Sequence, residues 1–144
     1  MRGDVALIRS LEYMTLLVEG LGEDQEGQIV SALLLALKLP ARKDGYAHLV
    51  HAVELYRKDP TQGIVKELYP AVAARSAKKV TWRAVERSIR EIIDQAWRDC
   101  DEETWKLFFP TPGDLWARPS NGDFIARLAR IVNIWLGIRE RNAG

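Results

Sequence analysis

The chain is poor in the residues that build sites of covalent or metal chemistry. Its 144 residues include one cysteine, Cys100, and two histidines, His48 and His51. A lone cysteine cannot close an internal disulfide, so a reducing setting is the simplest and a cytoplasmic location is expected. The two histidines stand three apart and could share a metal with Glu54, but no other residue nearby has ligand spacing, so no metal is expected. Cys100 lies at a helix end with no activating motif around it. The sequence contains no phosphate-binding glycine loop, no H-E-x-x-H and no G-x-S-x-G. Asp101-Glu102-Glu103 suits the first turn of a helix, where negative charge is favoured, better than a catalytic pair. Neither enzymatic activity nor a cofactor is therefore expected.

Long apolar runs are also missing. The most apolar stretch, Leu33 to Leu39, includes Lys38 and is far too short to span a bilayer. No basic region followed by an apolar run opens the chain, so no signal peptide is expected and a membrane is not an expected partner. Strand signals are nearly absent: there is no sustained alternation of apolar and polar residues, and Asn121-Gly122 precedes a helical pattern rather than joining two β-branched runs. Repeats and low-complexity segments are lacking.

What remains is helical periodicity almost throughout. Leu7, Leu11, Met14, Val18 and Leu21 form a heptad-like stripe on a first helix over residues 5–21, which suits either packing on the chain's own core or a dimer seam. Gly20, Gly22 and Gly27 loosen the link to a second helix over 28–39, which is apolar on nearly all sides and ends at Pro40. A third helix covers 45–59, with Tyr46, Leu49, Val50, Val53 and Tyr56 facing inward. Pro70 interrupts the pattern over 64–76, so a short turn through Tyr69 and a helix from Pro70 are expected. Thr81 can cap the next helix, running to Cys100, and Asp101 another to Phe109. Ser120 to Asp123 resembles a capping box opening the last helix, to about Arg139. The expectation is an all-α, multi-helix domain.

The formal net charge is only +1, yet it is unevenly spread. Residues 1–38 carry three basic against six acidic side chains, a net of −3, which leaves +4 on the remainder. The basic side chains gather most tellingly on the helix from Thr81. There Val85, Ile89, Ile92, Ile93, Ala96 and Trp97 share one face, while Arg83, Arg87, Arg90 and Asp94 occupy the other, with Glu86 at the flank. Arginines in one stripe can engage phosphates or take guanine edges as a fork. Lys78 and Lys79 in the preceding turn are placed to touch backbone phosphate. A carboxylate is repelled by phosphate but can accept from cytosine N4, so Glu86 fits base reading. The candidate DNA-binding set is Lys78, Lys79, Thr81, Arg83, Glu86, Arg87 and Arg90. The same face would equally serve as a solvated surface of an amphipathic helix. Trp82 either anchors the turn to the core or lies against the DNA backbone. Trp97, Trp105 and Trp135 hold apolar helical positions and are expected in the core, whereas Trp116, in the proline-rich loop, suits a partner-facing role.

Five landmarks carry a resemblance. L-P-A-R-K-D-G-Y (Leu39 to Tyr46), K-E-L-Y-P-A-V-A (Lys66 to Ala73), V-E-R-S-I-R (Val85 to Arg90), Ala96-Trp97 and R-P-S-N-G-D-F-I-A (Arg118 to Ala126) occur in an order and spacing that resembles the C-terminal DNA-binding domain of the sporulation master response regulator of endospore-forming bacteria. The likeness runs from Leu39 to about Val132. It implies a helix-turn-helix over Pro70 to Cys100 whose second helix enters the major groove of double-stranded DNA, a dimer on tandem sites, and DNA contacts by Glu86, Arg87 and Arg90.

Three departures modify that expectation. Ala84 stands where the family has arginine, Glu91 where it has histidine, and the stretch from Pro70 to Val85 is a residue or two longer, so sequence preference should differ. The segment from Leu107 to Arg118 corresponds to the family's surface for RNA polymerase sigma subunits, but Phe109, Pro110, Pro112 and Trp116 make it largely unlike that surface, which puts polymerase contact in doubt. Finally, the 38 residues before the likeness are helical and acidic and cannot hold the family's phospho-receiver, of about 120 residues, so the chain is either a stand-alone relative without phosphorylation control or a fragment. Residues 1–38 are read as an extension, for dimerisation or autoinhibitory cover, and 39–144 as the DNA-binding domain of a transcriptional regulator. The alternative is a degenerate relative that keeps the scaffold as a protein-interaction or dimerisation module without DNA binding.

Overall fold

A computed structural model describes the backbone of residues 2–19 and 25–143, and side chains from 5 to 19 and 28 to 141. Among these residues there are seven α-helices and no strand: α1 (Arg2–Val18), α2 (Gln25–Ala36), α3 (Asp44–Lys58), α4 (Tyr69–Arg75), α5 (Trp82–Asp99), α6 (Glu102–Phe108) and α7 (Asn121–Ala143). Gly20, Leu21 and Gly22 lie outside the described residues, and Gly27 falls within α2.

The sequence sets most of the boundaries through caps. Thr81 Oγ1 accepts from the Ala84 amide at 3.1 Å, Asp101 Oδ2 from Thr104 at 2.9 Å, and Ser120 Oγ from Asp123 at 3.1 Å. Each satisfies an amide that the first turn of α5, α6 or α7 leaves without a helical partner. Two C-terminal ends are closed from elsewhere. Gln62 Nε2 donates to the Leu55 carbonyl at the end of α3, and Arg127 Nε to the Phe108 carbonyl at the end of α6.

Residues 64–76 split where expected, with Pro70 in the first turn of α4, but the segment ahead of it is a wide turn that continues into the helix. Ile64–Leu68 form one wide π turn that runs straight into α4, with Leu68 in helical conformation and the Tyr69 amide bonded back to the Ile64 carbonyl. Proline has no N–H to give to the ladder, and the wider register carries the chain past Pro70 without ending the helix.

Helix α3 is the hub: it packs on α7, α5, α4 and α2. A single buried cluster joins Leu49 and Val53 of α3 to Val85, Ile89 and Ile93 of α5, to Phe124, Leu128 and Val132 of α7, and to Ile29 and Leu33 of α2. Met14 and Val18 are buried in this cluster, with Leu7 and Leu11 packed against it. The heptad-like stripe of α1 therefore faces the chain's own core, and α1 lies on α6, α2 and α7. Trp135 Nε1 donates to Thr15 Oγ1 at 3.2 Å, tying α7 to α1. Trp105, Phe109 and Phe124 form an aromatic nest, with the last two rings stacked at 4.8 Å. No helix of the described residues is long and apolar enough to cross a membrane.

Candidate nucleic-acid interface

Helix α5 buries Val85, Ile89, Ile92, Ile93 and Ala96 and exposes Arg83, Arg87, Arg90 and Glu91. Positions 83, 87 and 90 fall within about 60° of one another around the helix and span about 10 Å of its length. That stripe is comparable to the width of a DNA major groove, about 12 Å. Helix α4 packs across α5, and the two are joined by residues 76–81, a connection of six residues. Within it the Ser76 amide bonds the Ala73 carbonyl, the Lys78 amide bonds Ser76 Oγ, and Val80 packs on the core. The link is thus longer than the usual three- or four-residue helix-turn-helix turn, as the spacing from Pro70 to Val85 implies.

The seven candidate residues lie on or beside this face, in different states. Arg87 is exposed and has no hydrogen bond or ion pair among the described residues. Arg83 lies over the Trp82 ring, 5.4 Å from its centroid. Arg90 Nη1 donates to Glu86 Oε1 at 2.8 Å, an i,i+4 pair that orients both side chains along the helix and engages only one nitrogen of the guanidinium and one oxygen of the carboxylate. Lys78 and Lys79 are exposed in the connection. Lys78 Nζ lies 3.5 Å from Asp44 Oδ2, with both side chains mostly in water, so the pair is weak. Thr81 accepts the Ala84 amide, and its hydroxyl proton remains available to an outside acceptor. Trp82 is 36% exposed. Of the two expectations for it, the core anchor fails: Trp82 is not packed against the buried cluster, and Arg83 lies over its ring.

Contacts from α3 and from residues around the start of α7 fix α5 against the body. Gly45, at the start of α3, lies so close to α5 that a Cβ there would be 2.4 Å from the Ser88 carbonyl oxygen. Beside it, Ser88 Oγ donates to the Val85 carbonyl at 2.9 Å and therefore accepts from His48 Nδ1, also at 2.9 Å. Burial lowers the His48 pKa, with the Asp44 charge acting the other way and His51 reinforcing it. His48 is thus a neutral donor at the α3–α5 contact, and no group of metal-ligating residues occurs among the described residues. On the opposite side Arg118 and Asn121 reach the α5 backbone. Arg118 Nη2 donates to the Arg90 carbonyl at 3.0 Å, and Asn121 Nδ2 to that of Glu86 at 3.2 Å. Arg118 Nε also donates to Asp94 Oδ1 at 2.5 Å, so Asp94 is ion-paired, although its side chain remains 41% exposed.

Sequence reasoning used Arg118 and Asn121 as landmarks but gave them no role. Their signal was present in R-P-S-N: an arginine and an asparagine flanking a proline just before a helix, with no apolar pattern to explain them. Arg98 was also overlooked; it is exposed, and helical spacing puts it within about 20° of Arg87. Cys100 is buried and its thiol is pushed up to about 11 by desolvation, with Asp101 adding to the effect, which makes it inert. Trp105 and Trp135 are buried, whereas Trp97 is half-buried and stacks on Trp116, their centroids 5.0 Å apart.

An all-helical body that holds a capped helix with an exposed arginine stripe, packed against a shorter helix, fits a helical DNA-binding effector domain. Residues 30–132 match the family described as the sporulation initiation factor Spo0A C terminal. The chain belongs to this family: it carries a sporulation-related DNA-binding effector domain, which places it in transcription regulation. The match begins inside α2 and ends inside α7.

Proposed function

We propose that this chain binds double-stranded DNA sequence-specifically, with α5 in the major groove, as a cytoplasmic bacterial transcriptional regulator. The observation that carries the reading is the exposed stripe of Arg83, Arg87 and Arg90 on a helix whose opposite face is buried and whose backbone is held from both sides. Arg87 is ready to take a guanine edge or a phosphate. Glu86 keeps its second carboxylate oxygen as an acceptor for cytosine, and opening of its pair with Arg90 would release a second fork for guanine. Lys78, Lys79, Thr81 and Arg83 surround the start of α5, where backbone phosphate would pass, and Arg83 brings the Trp82 face with it. Glu91 is exposed beside the stripe and opposes any phosphate near it.

The division into an extension (1–38) and a DNA-binding domain (39–144) belongs to the same proposal, with a homodimer as the working form. The exposed arginine stripe speaks against α1 as an autoinhibitory cover. The inward stripe of α1 leaves Val5, Ile8 and Leu16, which are exposed, as the surface through which this extension would meet a second copy.

Selection from a random pool of duplexes tests the reading. Enrichment of a defined motif, with Arg87→Ala losing affinity for it, is the expected result. A second reading, an interaction module without DNA binding, is favoured by the Glu86–Arg90 pair and by Leu115 and Trp116, which are 65% and 39% exposed. No enrichment, together with no duplex binding at low salt, would select that reading instead.

A further inference from the structure

The segment between α6 and α7 lies along one flank of α5, and its polar groups converge on that helix. Arg118 engages the Arg90 carbonyl, Asp94 Oδ1, the Pro119 carbonyl and, at 3.2 Å, Asn121 Oδ1. Asn121 in turn donates to the Glu86 carbonyl and lies beside the Tyr69 hydroxyl of α4. Two residues earlier than Arg118, Trp116 rests on Trp97. The loop therefore meets α5 at positions 90, 94 and 97, and the first residue of α7 meets α5 at 86 and α4 at 69.

The carbonyls of Glu86 and Arg90 lie within α5, where each already accepts a helical amide; Asn121 and Arg118 use their second lone pairs. Bonds of this kind add nothing to the helix's own ladder. They fix its roll and its distance from α7. The ion pair does something different. Asp94 falls about 20° around the helix from Arg83, so its carboxylate lies on the arginine stripe, where a bare negative charge would repel phosphate. The Arg118 guanidinium pairs with it and offsets its charge, while the carboxylate stays partly exposed.

We infer that Arg118 and Asn121 are positioning residues for the DNA-reading helix: together they set the roll of α5 against α4 and α7, and Arg118 also masks the Asp94 charge. The inference rests on the reading of α5 as that helix, but the clasp itself is observable without DNA.

The experiment uses the full chain as wild type, Arg118→Gln, Arg118→Lys, Asn121→Ala and the double variant Asp94→Asn/Arg118→Gln. It measures amide hydrogen exchange along α5 in the free protein, and affinity for the duplex selected above. Arg118→Gln and Asn121→Ala should each speed exchange over residues 86–94 about tenfold, with α1 unchanged, and weaken duplex binding about tenfold. Arg118→Lys keeps a cation beside Asp94 but cannot fork to the backbone, so it should exchange like Arg118→Gln yet bind DNA better. Adding Asp94→Asn to Arg118→Gln should recover part of the affinity and none of the exchange protection, a split that a merely structural role does not produce. Unchanged exchange and unchanged affinity in both single variants would overturn the clasp, and absence of rescue by Asp94→Asn would overturn the masking. If exchange responds as expected but the wild type ignores duplex DNA, the clasp stands and the reading of α5 falls.

Discussion

Replacing Gly45 with alanine tests how tightly α5, the helix proposed to read DNA, is seated. The added Cβ would stand 2.4 Å from the Ser88 carbonyl oxygen, 2.9 Å from its carbon and 3.1 Å from Ile92 Cγ2. Ordinary contact begins near 3.4 Å, so α3 and α5 must separate by about 1 Å. The nearest atoms are backbone in the middle of a helix and cannot rotate away. Overpacking of this kind costs about 1–3 kcal/mol. Against it stands the helical preference of alanine over glycine, at most about 1 kcal/mol and less at the second residue of a helix. The net loss is about 1–2 kcal/mol, which for a chain of this length lowers Tm by about 3–8 °C. A thermal melt followed by far-UV circular dichroism reads it. The same movement displaces Ser88 from His48 and tilts the arginine stripe, so duplex affinity should fall in the folded variant too. A melt unchanged or raised by Gly45→Ala would refute the close α3–α5 approach, and with it the placement of α5.

Two further outcomes follow from single residues. Lys38 ends α2 in the left-handed region at φ 68°, where a side chain is strained and glycine is not, so Lys38→Gly should stabilise by about 0.5–1 kcal/mol in urea titration; a destabilised variant would contradict that geometry. His48 has its folded pKa lowered from 6.5 by burial, so the unfolded chain takes up the proton first and stability should fall as pH drops below about 6.5. Replacement by glutamine, which can still donate to Ser88, should remove that part of the acid sensitivity. An identical pH dependence in His48→Gln would show that other groups govern it.

The helices were legible because their signals are local. Thr81, Asp101 and Ser120 announce α5, α6 and α7 by capping chemistry that needs no knowledge of the rest of the fold, and the face of Val85, Ile89 and Ile93 is fixed by helical spacing. Pro70 marks the first turn of α4 as its chemistry suggests, but the wide π turn that precedes it and runs into the helix has no comparable local signal. The state of the site was harder to see. That Glu86 holds Arg90 follows from i,i+4 spacing and was available in the sequence; that Arg118 holds Asp94 was not, since 24 residues separate them. Trp82 shows the same limit: its burial depends on which way the start of α5 faces, a property of the whole packing. The family landmarks gain a physical meaning from the structure. D-G-Y supplies the residue without a Cβ where α3 meets α5, and a tyrosine whose hydroxyl lies 2.8 Å from the Ser31 carbonyl of α2. R-P-S-N supplies the clasp.

The most direct test of α5 as a DNA-reading helix is the dependence of duplex affinity on salt, compared between wild type and Arg87→Ala. Arg87 is exposed and unpaired among the described residues, so its loss should disturb binding and little else. Each phosphate neutralised contributes about −0.9 to the slope of log K against log salt. If Arg87 meets phosphate, wild type should bind tightly at low salt with a steep negative slope, and Arg87→Ala should bind more weakly with a slope shallower by about 1. If it meets a base, affinity for the selected motif should fall while the slope stays. No binding at low salt, or equal affinity and slope in the two proteins, would contradict the account.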